Sequence, residues 1–362
     1  MVRNESTNGP EEQHGSSRRS WMKKGTLYAV AALILLAVTG IIFQSIATAR
    51  DQRRFPPPGQ MVDAGGFDLH VHLAGEHNAG PTVVLLGCGG CTSANWGWVH
   101  PDVAKFAPVV SVDRAGLGWS EQRPYLGDAG DDADELHTAL HNAGIPGPYV
   151  LVGHSYGGPV AWLFTDRFPD EVVGLTLVDP RHPDQESRFP PEAVSAASSE
   201  EWMVRILGWS ARLGILRLTG LGEEQASGLP EQQRSEFAAH YNTHRYWQTL
   251  GMTVRTTEDT DEATRATGDL GSRPLIVLSA DRAWLDEDAP ADEARRVFTE
   301  MNEEQASLSS NSRHEVIEGA GHISLVNNES YASNVVEAIR EVVDAVRQNS
   351  NVSNQTTGST SP

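Results

Sequence analysis

The sequence predicts an α/β fold: a mostly parallel central sheet with helices on both faces and a helical cap inserted after the sixth strand. Two patterns lead to this prediction. Short apolar runs alternate with longer segments of helical periodicity, which is typical of a parallel sheet covered on both faces. Residues 185–272 break this alternation, because they carry helix-like segments rich in Trp, Leu and Arg and no strand pattern.

Each strand is expected at a short apolar run bounded by turn residues. The first two strands are joined across Gly65-Gly66, where we expect a tight hairpin. His70 and His72 alternate on one face of the second strand, and we interpret them as structural because no carboxylate or cysteine ligand accompanies them. The predicted strands cover residues 61–63, 67–73, 82–86, 109–112, 149–152, 172–178, 275–278 and 314–317, and helices are predicted at 131–142, 159–168, 291–301 and 331–346.

The amino-terminal segment differs from the rest of the chain. Residues 1–24 are predicted to be a disordered cytoplasmic tail, and residues 25–49 are uncharged and apolar enough to cross a bilayer of about 30 Å. Basic residues are slightly more frequent before this run than after it, which favours a cytoplasmic amino terminus and an extracytoplasmic domain. The basic residues are Arg18, Arg19, Lys23 and Lys24 before the run, and Arg50, Arg53 and Arg54 after it.

A cleaved signal peptide is the alternative, because Ala47-Thr48-Ala49 resembles a cleavage site. The apolar run exceeds the usual 7–15 residues of such peptides, so we expect an uncleaved single-pass anchor in the cell membrane. Both interpretations export the domain. The remaining divisions expected are a Pro-rich spacer (50–60), a core (61–184 and 273–347), a cap (185–272) and a disordered tail (348–362).

Composition limits the partners and cofactors. The formal net charge of −20, with three lysines among 28 basic residues, argues against nucleic-acid binding. Cys88 and Cys91 are too few for a zinc site, and we interpret them as small residues in a tight loop, with a disulfide as the alternative in an oxidising compartment. His137 and His141 lie one helical turn apart without a third ligand, so neither a metal nor a cofactor is expected.

The stretch at residues 149–158 carries the chemistry. An apolar strand breaks into Gly153-His154-Ser155-Tyr156-Gly157, and the two small residues allow a sharp strand-to-helix turn that exposes the serine hydroxyl. Asp179, Asp281 and His322 also follow strand ends, where ligands of parallel sheets bind. The small residues at 87–92 form a turn whose N–H groups can approach a ligand closely, or simply a tight turn.

From about residue 61 to 347 the chain resembles the α/β-hydrolase superfamily, and within it membrane-tethered serine hydrolases of uncharacterised substrate. The resemblance rests on the elbow at 153–157, on Asp113-Arg114-Ala115-Gly116-Leu117-Gly118-Trp119-Ser120, and on Gly319-Ala320-Gly321-His322. It implies that Ser155 is the nucleophile, that His322 is the general base, and that the N–H groups of Gly89 and Tyr156 form the oxyanion hole.

Two positions depart from the family pattern. The acid of many members lies three residues past the seventh strand, where this chain has Ala283, so Asp179 becomes the first candidate acid and Asp281 the alternative, with Asp286 three residues late. The oxyanion turn reads Gly87-Cys88-Gly89-Gly90 where the family usually has His-Gly-x-Gly. Only backbone donors are needed there, so the chemistry is retained.

These residues predict a serine hydrolase that acts on an acyl bond of a small-molecule substrate, first of all a carboxylic ester, through an acyl-enzyme. The serine at the elbow excludes the aspartate-nucleophile chemistry of dehalogenases and epoxide hydrolases. Two alternatives stay open: a binding or receptor protein of the same fold without turnover, and an aminopeptidase-type amide hydrolase. The other expected partner is the lipid bilayer, through residues 25–49.

Overall fold

The structure is a computed structural model that describes residues 12–190, 200–282 and 291–352. Its centre is an eight-stranded sheet in the order β1-β2-β4-β3-β5-β6-β7-β8. The strands are β1 (Gln60–Asp63), β2 (Asp68–Ala74), β3 (Thr82–Leu86), β4 (Val109–Val112), β5 (Tyr149–His154), β6 (Val172–Val178), β7 (Leu275–Ala280) and β8 (Ser312–Ile317).

Six of the eight strands are parallel. β1 pairs antiparallel with β2 across the predicted Gly65-Gly66 hairpin, β2 pairs antiparallel with β4, and every other pairing is parallel. β3 and β5 are buried along their whole length, which explains their continuous apolar sequences: both faces of a parallel sheet are covered. The predicted fold class is therefore confirmed.

Two layers of helices cover the sheet and create two apolar cores. One layer buries Leu136, Leu140 and Phe164 against the sheet, and the other buries Val103 and Ile339. The helices of the core are α2 (Val99–Val103), α3 (Ala129–Asn142), α4 (Gly157–Arg167), α12 (Ala291–Ala306), α13 (Ser324–Asn327) and α14 (Glu329–Gln348). Of the predicted tail after residue 347, residues 353–362 lie outside the described residues.

Helices fill the described part of the chain between β6 and β7, in the region predicted as a cap; residues 191–199 lie outside the described residues. A third apolar cluster includes Leu216, Phe237 and Trp247 of the cap and joins them to Ala94 and Leu117 of the core. Its helices are α5 (Gln185–Arg188), α6 (Glu200–Arg212), α7 (Ile215–Thr219), α8 (Leu221–Gln225), α9 (Glu231–Tyr241), α10 (His244–Arg255) and α11 (Thr257–Arg265).

The amino-terminal helix α1 (Glu12–Arg54) is longer than the apolar run suggests. Residues 12–24 are helical rather than a disordered tail, and residues 50–54 extend the helix into the predicted spacer, because no helix-breaking residue intervenes before Pro56. Residues 1–11 lie outside the described residues. The part from Trp21 to Arg54 has the length and the mean hydropathy, 2.4 in its most apolar window, of a membrane span.

Candidate active site

Ser155 occupies a strained turn between β5 and α4. Its φ of 55° lies in the left-handed region, which side chains other than glycine rarely adopt. Three backbone hydrogen bonds hold the turn: its N–H donates to the Val178 carbonyl (3.1 Å), and its own carbonyl accepts from Gly158 (2.9 Å) and Arg181 (3.0 Å). The serine is thus tied both to its own helix and to the end of the neighbouring strand.

The two elbow glycines are required by space. A Cβ atom on Gly153 would lie 2.5 Å from the Gly157 carbonyl oxygen, and a Cβ on Gly157 would lie 2.2 Å from the Leu86 carbonyl oxygen. Both obstacles are backbone atoms, which cannot rotate away. The Gly-x-Ser-x-Gly pattern therefore follows from the close crossing of α4 over the end of β3.

His322 and Asp179 meet at the same edge of the sheet. The Oδ2 atom of the buried Asp179 lies 2.6 Å from His322 Nδ1, and its Oδ1 atom accepts the N–H of Ala280 at 2.9 Å. A bond to a carboxylate places the imidazole proton on Nδ1, so Nε2 of the neutral ring is left as an acceptor. Asp179 has φ 45°, the same rare backbone region as Ser155.

Asp281, the alternative acid, is engaged elsewhere. Its Oδ2 accepts the N–H of Gly319 at 3.1 Å, and its Oδ1 pairs with Arg295 at 3.2 Å. Asp281 therefore shapes the loop that leads to His322 instead of contacting the imidazole. Ala283, the usual family position, and Asp286 both lie outside the described residues.

A second histidine, His154, is hydrogen-bonded to the loop that carries His322. His154 Nε2 lies 3.0 Å from the backbone carbonyl oxygen of His322, and a carbonyl can only accept, so His154 carries its proton on Nε2. Burial holds the pKa of His154 well below its usual value, with the nearby His322 acting in the same direction, so the ring stays neutral.

Cys88 and Cys91 form a disulfide in the turn after β3, so the interpretation as unlinked small residues is wrong and the alternative is correct. Gly89 and Gly90 lie inside the four-residue loop that this bond closes. Cys91 Sγ lies 3.9 Å from His154 Nδ1, and these three residues form a cluster of metal-ligand type. Both sulfur atoms are used by the disulfide, so they are not thiolate ligands for a metal.

One buried carboxylate braces both predicted oxyanion donors. Asp132 accepts the Tyr156 hydroxyl (2.9 Å) and pairs with Arg114 Nη1 (2.9 Å). Arg114 in turn donates to the Gly89 carbonyl at 2.6 Å and lies over the Tyr156 ring, with its Cζ 4.2 Å from the ring centre. A second arginine, Arg123, completes the partners of Asp132. Gly89 and Tyr156 are thereby fixed relative to each other.

The sequence pattern does not predict this network. Arg114 belongs to the family-like loop after β4, and Asp132 is one of several polar residues in an amphipathic helix. The available signal was weak: Arg114 follows a strand end, where functional residues collect. The pairing itself joins residues 18 positions apart, on two different elements.

The histidines that sequence patterns singled out have structural partners. His70 Nδ1 lies 2.9 Å from Asp113, whose Oδ1 and Oδ2 also accept the backbone N–H groups of Ser93 and Trp119. The His72 ring stacks on His100 with centres 4.4 Å apart. His137 Nε2 lies 3.0 Å from Glu171.

Helix α10 of the cap packs against the turn that follows β3. A Cβ on Gly90 would lie 2.5 Å from the Tyr246 hydroxyl, and one on Gly89 would lie 3.7 Å from a methyl group of Thr253. Ser155 is itself buried. The cap therefore packs on the turn that holds Gly89 and Gly90.

Comparison with known proteins agrees with the fold. Residues 83–338 match the alpha/beta hydrolase family. The chain is 36% identical over 123 residues to a 2-hydroxy-6-oxo-2,4-heptadienoate hydrolase of Pseudomonas putida, covering 33% of this chain and 44% of that protein. It is 30% identical over 173 residues to a human (lyso)-N-acylphosphatidylethanolamine lipase, covering 45% and 47%.

Among solved structures, a thermophilic esterase from Thermogutta terrifontis superposes with a TM-score of 0.56 at 21% identity, covering 79% of this chain and 98% of that one. This likeness concerns the fold. The chain spans about half the length, or less, of the first curated relatives that it matches.

The bracing role of Asp132 predicts a large stability cost for its loss. Asp132→Asn leaves the largely buried Arg114 without its carboxylate and Arg123 with Glu135 alone, so we expect the free energy of unfolding to fall by about 3 kcal/mol. Asp134→Asn, on the same helix, removes only an exposed pair with Arg167 and should change it by about 0.5 kcal/mol or less. Denaturant unfolding of both variants checks this; equal effects would contradict the bracing role.

Proposed function

Because this chain belongs to the alpha/beta hydrolase family, we propose that it is a serine hydrolase that cleaves an acyl bond, first of all a carboxylic ester, by way of an acyl-enzyme on Ser155. The observation that carries the proposal is the 2.6 Å hydrogen bond between Asp179 and His322, at the edge of the sheet where the Ser155 turn is tied to β6. An acid, a base and a strained serine are the parts that this chemistry requires.

In the proposed acylation step, Ser155 Oγ attacks the carbonyl carbon of the substrate while its proton passes to His322 Nε2. Asp179 keeps the other ring proton on Nδ1 and stabilises the imidazolium that forms. The imidazolium then gives its proton to the departing alcohol as the tetrahedral intermediate collapses. Water then attacks the acyl-enzyme while His322 takes its proton. The proton passes to Ser155 Oγ as the carboxylic acid is released.

The negative charge of the tetrahedral intermediate would be stabilised by the backbone N–H groups of Gly89 and Tyr156. Tyr156 directly precedes α4, where the first N–H groups of a helix lack internal partners and the helix dipole favours negative charge. Such donors contribute most when they are fixed before the reaction. The disulfide around Gly89 and the ties of both residues to Asp132 supply that rigidity.

The alternative of a binding or receptor protein without turnover rests on two departures from the family pattern, the displaced acid and the unusual oxyanion turn. Asp179 now offers a carboxylate to His322, and the turn is braced on two sides, so the described residues favour catalysis over a pure binding role. An ester is preferred over an amide because a relative sharing 30% identity is named as a lipase. The acyl group and the alcohol would be selected by the cap.

We also propose that α1 is a retained single-pass anchor with the catalytic domain outside the cytoplasm. A cleaved leader would end near Ala49, yet residues before that point pack on the cap: Gln44 donates to the Asn242 carbonyl at 2.7 Å, and Gly40 approaches the Leu213 carbonyl. A segment that is removed after export has no reason to form such contacts with the mature domain.

The nucleophile is tested by labelling the full chain with a fluorophosphonate probe. We expect wild type to label and to hydrolyse a p-nitrophenyl ester, and Ser155→Ala to do neither while keeping the same melting temperature. Ser333→Ala, an exposed serine on α14, is the matched control and should behave as wild type. If Ser155→Ala is still labelled by the probe, Ser155 is not the nucleophile.

The identity of the acid is tested by substituting two aspartates, Asp179 and Asp281, that each follow the end of a strand. Asp179→Asn should lower kcat by about 10⁴-fold, because the amide cannot hold the productive tautomer of His322. Asp281→Asn should leave kcat nearly unchanged, since its carboxylate bonds to Gly319 and Arg295. The reverse order of effects would show that the enzyme uses the later strand.

The anchor is tested by extraction of membranes with alkaline carbonate. The full chain should remain in the pellet. A chain that begins at Arg50 should leave the membrane, and it should unfold at a lower temperature because the cap has lost Phe43 and Gln44. If the native protein is recovered with its amino terminus at Arg50, the segment is a cleaved leader instead.

A further inference from the structure

Helix α6 has apolar residues on two opposite sides. Val204, Gly208 and Ala211 are buried toward the interior of the cap. Trp202, Ile206 and Trp209, spaced by four and three residues, form a second stripe on the outside. A helix that only covered a protein core would carry polar residues at these outer positions.

The outer stripe is strongly exposed. The fractional exposures are 58% for Trp202, 54% for Ile206 and 60% for Trp209, and the next helix, α7, adds Ile215 at 51% and Leu218 at 77%. We call these five residues the outer cap face. Soluble monomers rarely leave large apolar residues so exposed in one group, and such groups mark surfaces that meet a partner or a membrane.

The turn between α6 and α7 lies against α1. A Cβ on Gly40 would lie 2.3 Å from the Leu213 carbonyl oxygen, and one on Gly214 would lie 2.8 Å from Phe43 Cδ1. The two backbones therefore approach with almost nothing between them. Gly40 and Phe43 belong to the uncharged run of the proposed membrane span, so the outer cap face adjoins apolar surface of α1.

Polar contacts mark the level at which α1 leaves the bilayer. Gln44 bonds to Asn242, and Asp51 pairs with Arg217 of α7 at 2.7 Å. Gly40 precedes Gln44 by four residues, which is about 6 Å along a helix. The polar headgroup layer is roughly 5–8 Å thick, so the turn beside Gly40 lies at its inner edge, next to the lipid acyl chains.

The charged residues of α6 fit the same orientation. Glu201, Arg205 and Arg212 share one flank of the helix, beside the apolar stripe, and all three are exposed. The Arg212 guanidinium lies 5.9 Å from the Trp209 ring centre. Tryptophan and arginine side by side are typical of the membrane interface, where the indole lies among headgroups and the guanidinium reaches phosphate.

We propose that the outer cap face docks into the hydrocarbon boundary of the bilayer that α1 spans. This inference rests on the proposed anchor and goes beyond it, because it assigns a second membrane contact to the catalytic domain itself. The outer cap face would contact the acyl chains of membrane lipids. α10 packs on the inner side of α6 and also carries Tyr246 over the oxyanion turn, so only two helices would separate the membrane from the site.

The experiment uses the full chain in phosphatidylcholine nanodiscs, with one introduced cysteine labelled by an environment-sensitive fluorophore. The native cysteines are bonded to each other and do not label without reductant. Ile206→Cys reports on the outer cap face, and Leu218→Cys repeats the test on α7. Leu35→Cys reports on the span, and Leu308→Cys, an exposed leucine that precedes β8 and lies outside α1, α6 and α7, is the control.

We expect blue-shifted emission and loss of most fluorescence to spin-labelled lipid at positions 206, 218 and 35, and neither effect at 308. If 206 and 218 behave like 308 while 35 is quenched, the anchor stands and the docking is overturned. If 35 is also unquenched, the anchor fails and the docking fails with it. Blue-shifted emission at 206 without quenching by lipid would mean that protein covers the face, which also overturns the proposal.

Discussion

The close crossing of α4 over the end of β3 is the constraint on which the rest of the site depends. It leaves no room for a side chain at Gly157, it forces Ser155 into a left-handed backbone conformation, and it directs the start of α4 toward the oxyanion turn. Only three non-glycine residues in the described part of the chain have positive φ, and two of them are Ser155 and Asp179. Strain is therefore concentrated at the residues proposed to react, as is common in active sites.

The cap also holds the loop that follows Asp179. Arg181 donates its backbone N–H to the Ser155 carbonyl and its guanidinium to both carboxylate oxygens of Asp261 in the cap, at 2.8 and 2.7 Å. A second link is made by Arg245 of α10, which donates to the carbonyls of Gly118 and Ser120. Movement of the cap would therefore be transmitted to the Ser155 turn and to the loop at Gly118 and Ser120.

Much of the fold was predictable because its signals are local. Strand periodicity and glycine turns placed all eight strands, and because Asp179 follows a strand end it ranked ahead of Asp281, an order that the hydrogen bond to His322 supports. The helical tail at residues 12–24 was missed because polar residues carry no apolar period. The disulfide stayed open because two cysteines three residues apart are compatible with either state. Asp132 was missed because its partners are assembled only by tertiary packing.

The bridge between Cys88 and Cys91 connects the geometry of the site with the direction in which the chain is inserted. Disulfides persist outside the cytosol, whereas cytosolic thiols keep cysteine pairs reduced. On the proposed topology the domain folds where the bridge survives, and Gly89 and Gly90 stay confined. The same polypeptide left on the inner side would carry two thiols at this turn, and Gly89 and Gly90 would be held only by Arg114 and the cap. On this topology, newly made protein would close the turn with its bridge only after crossing the membrane.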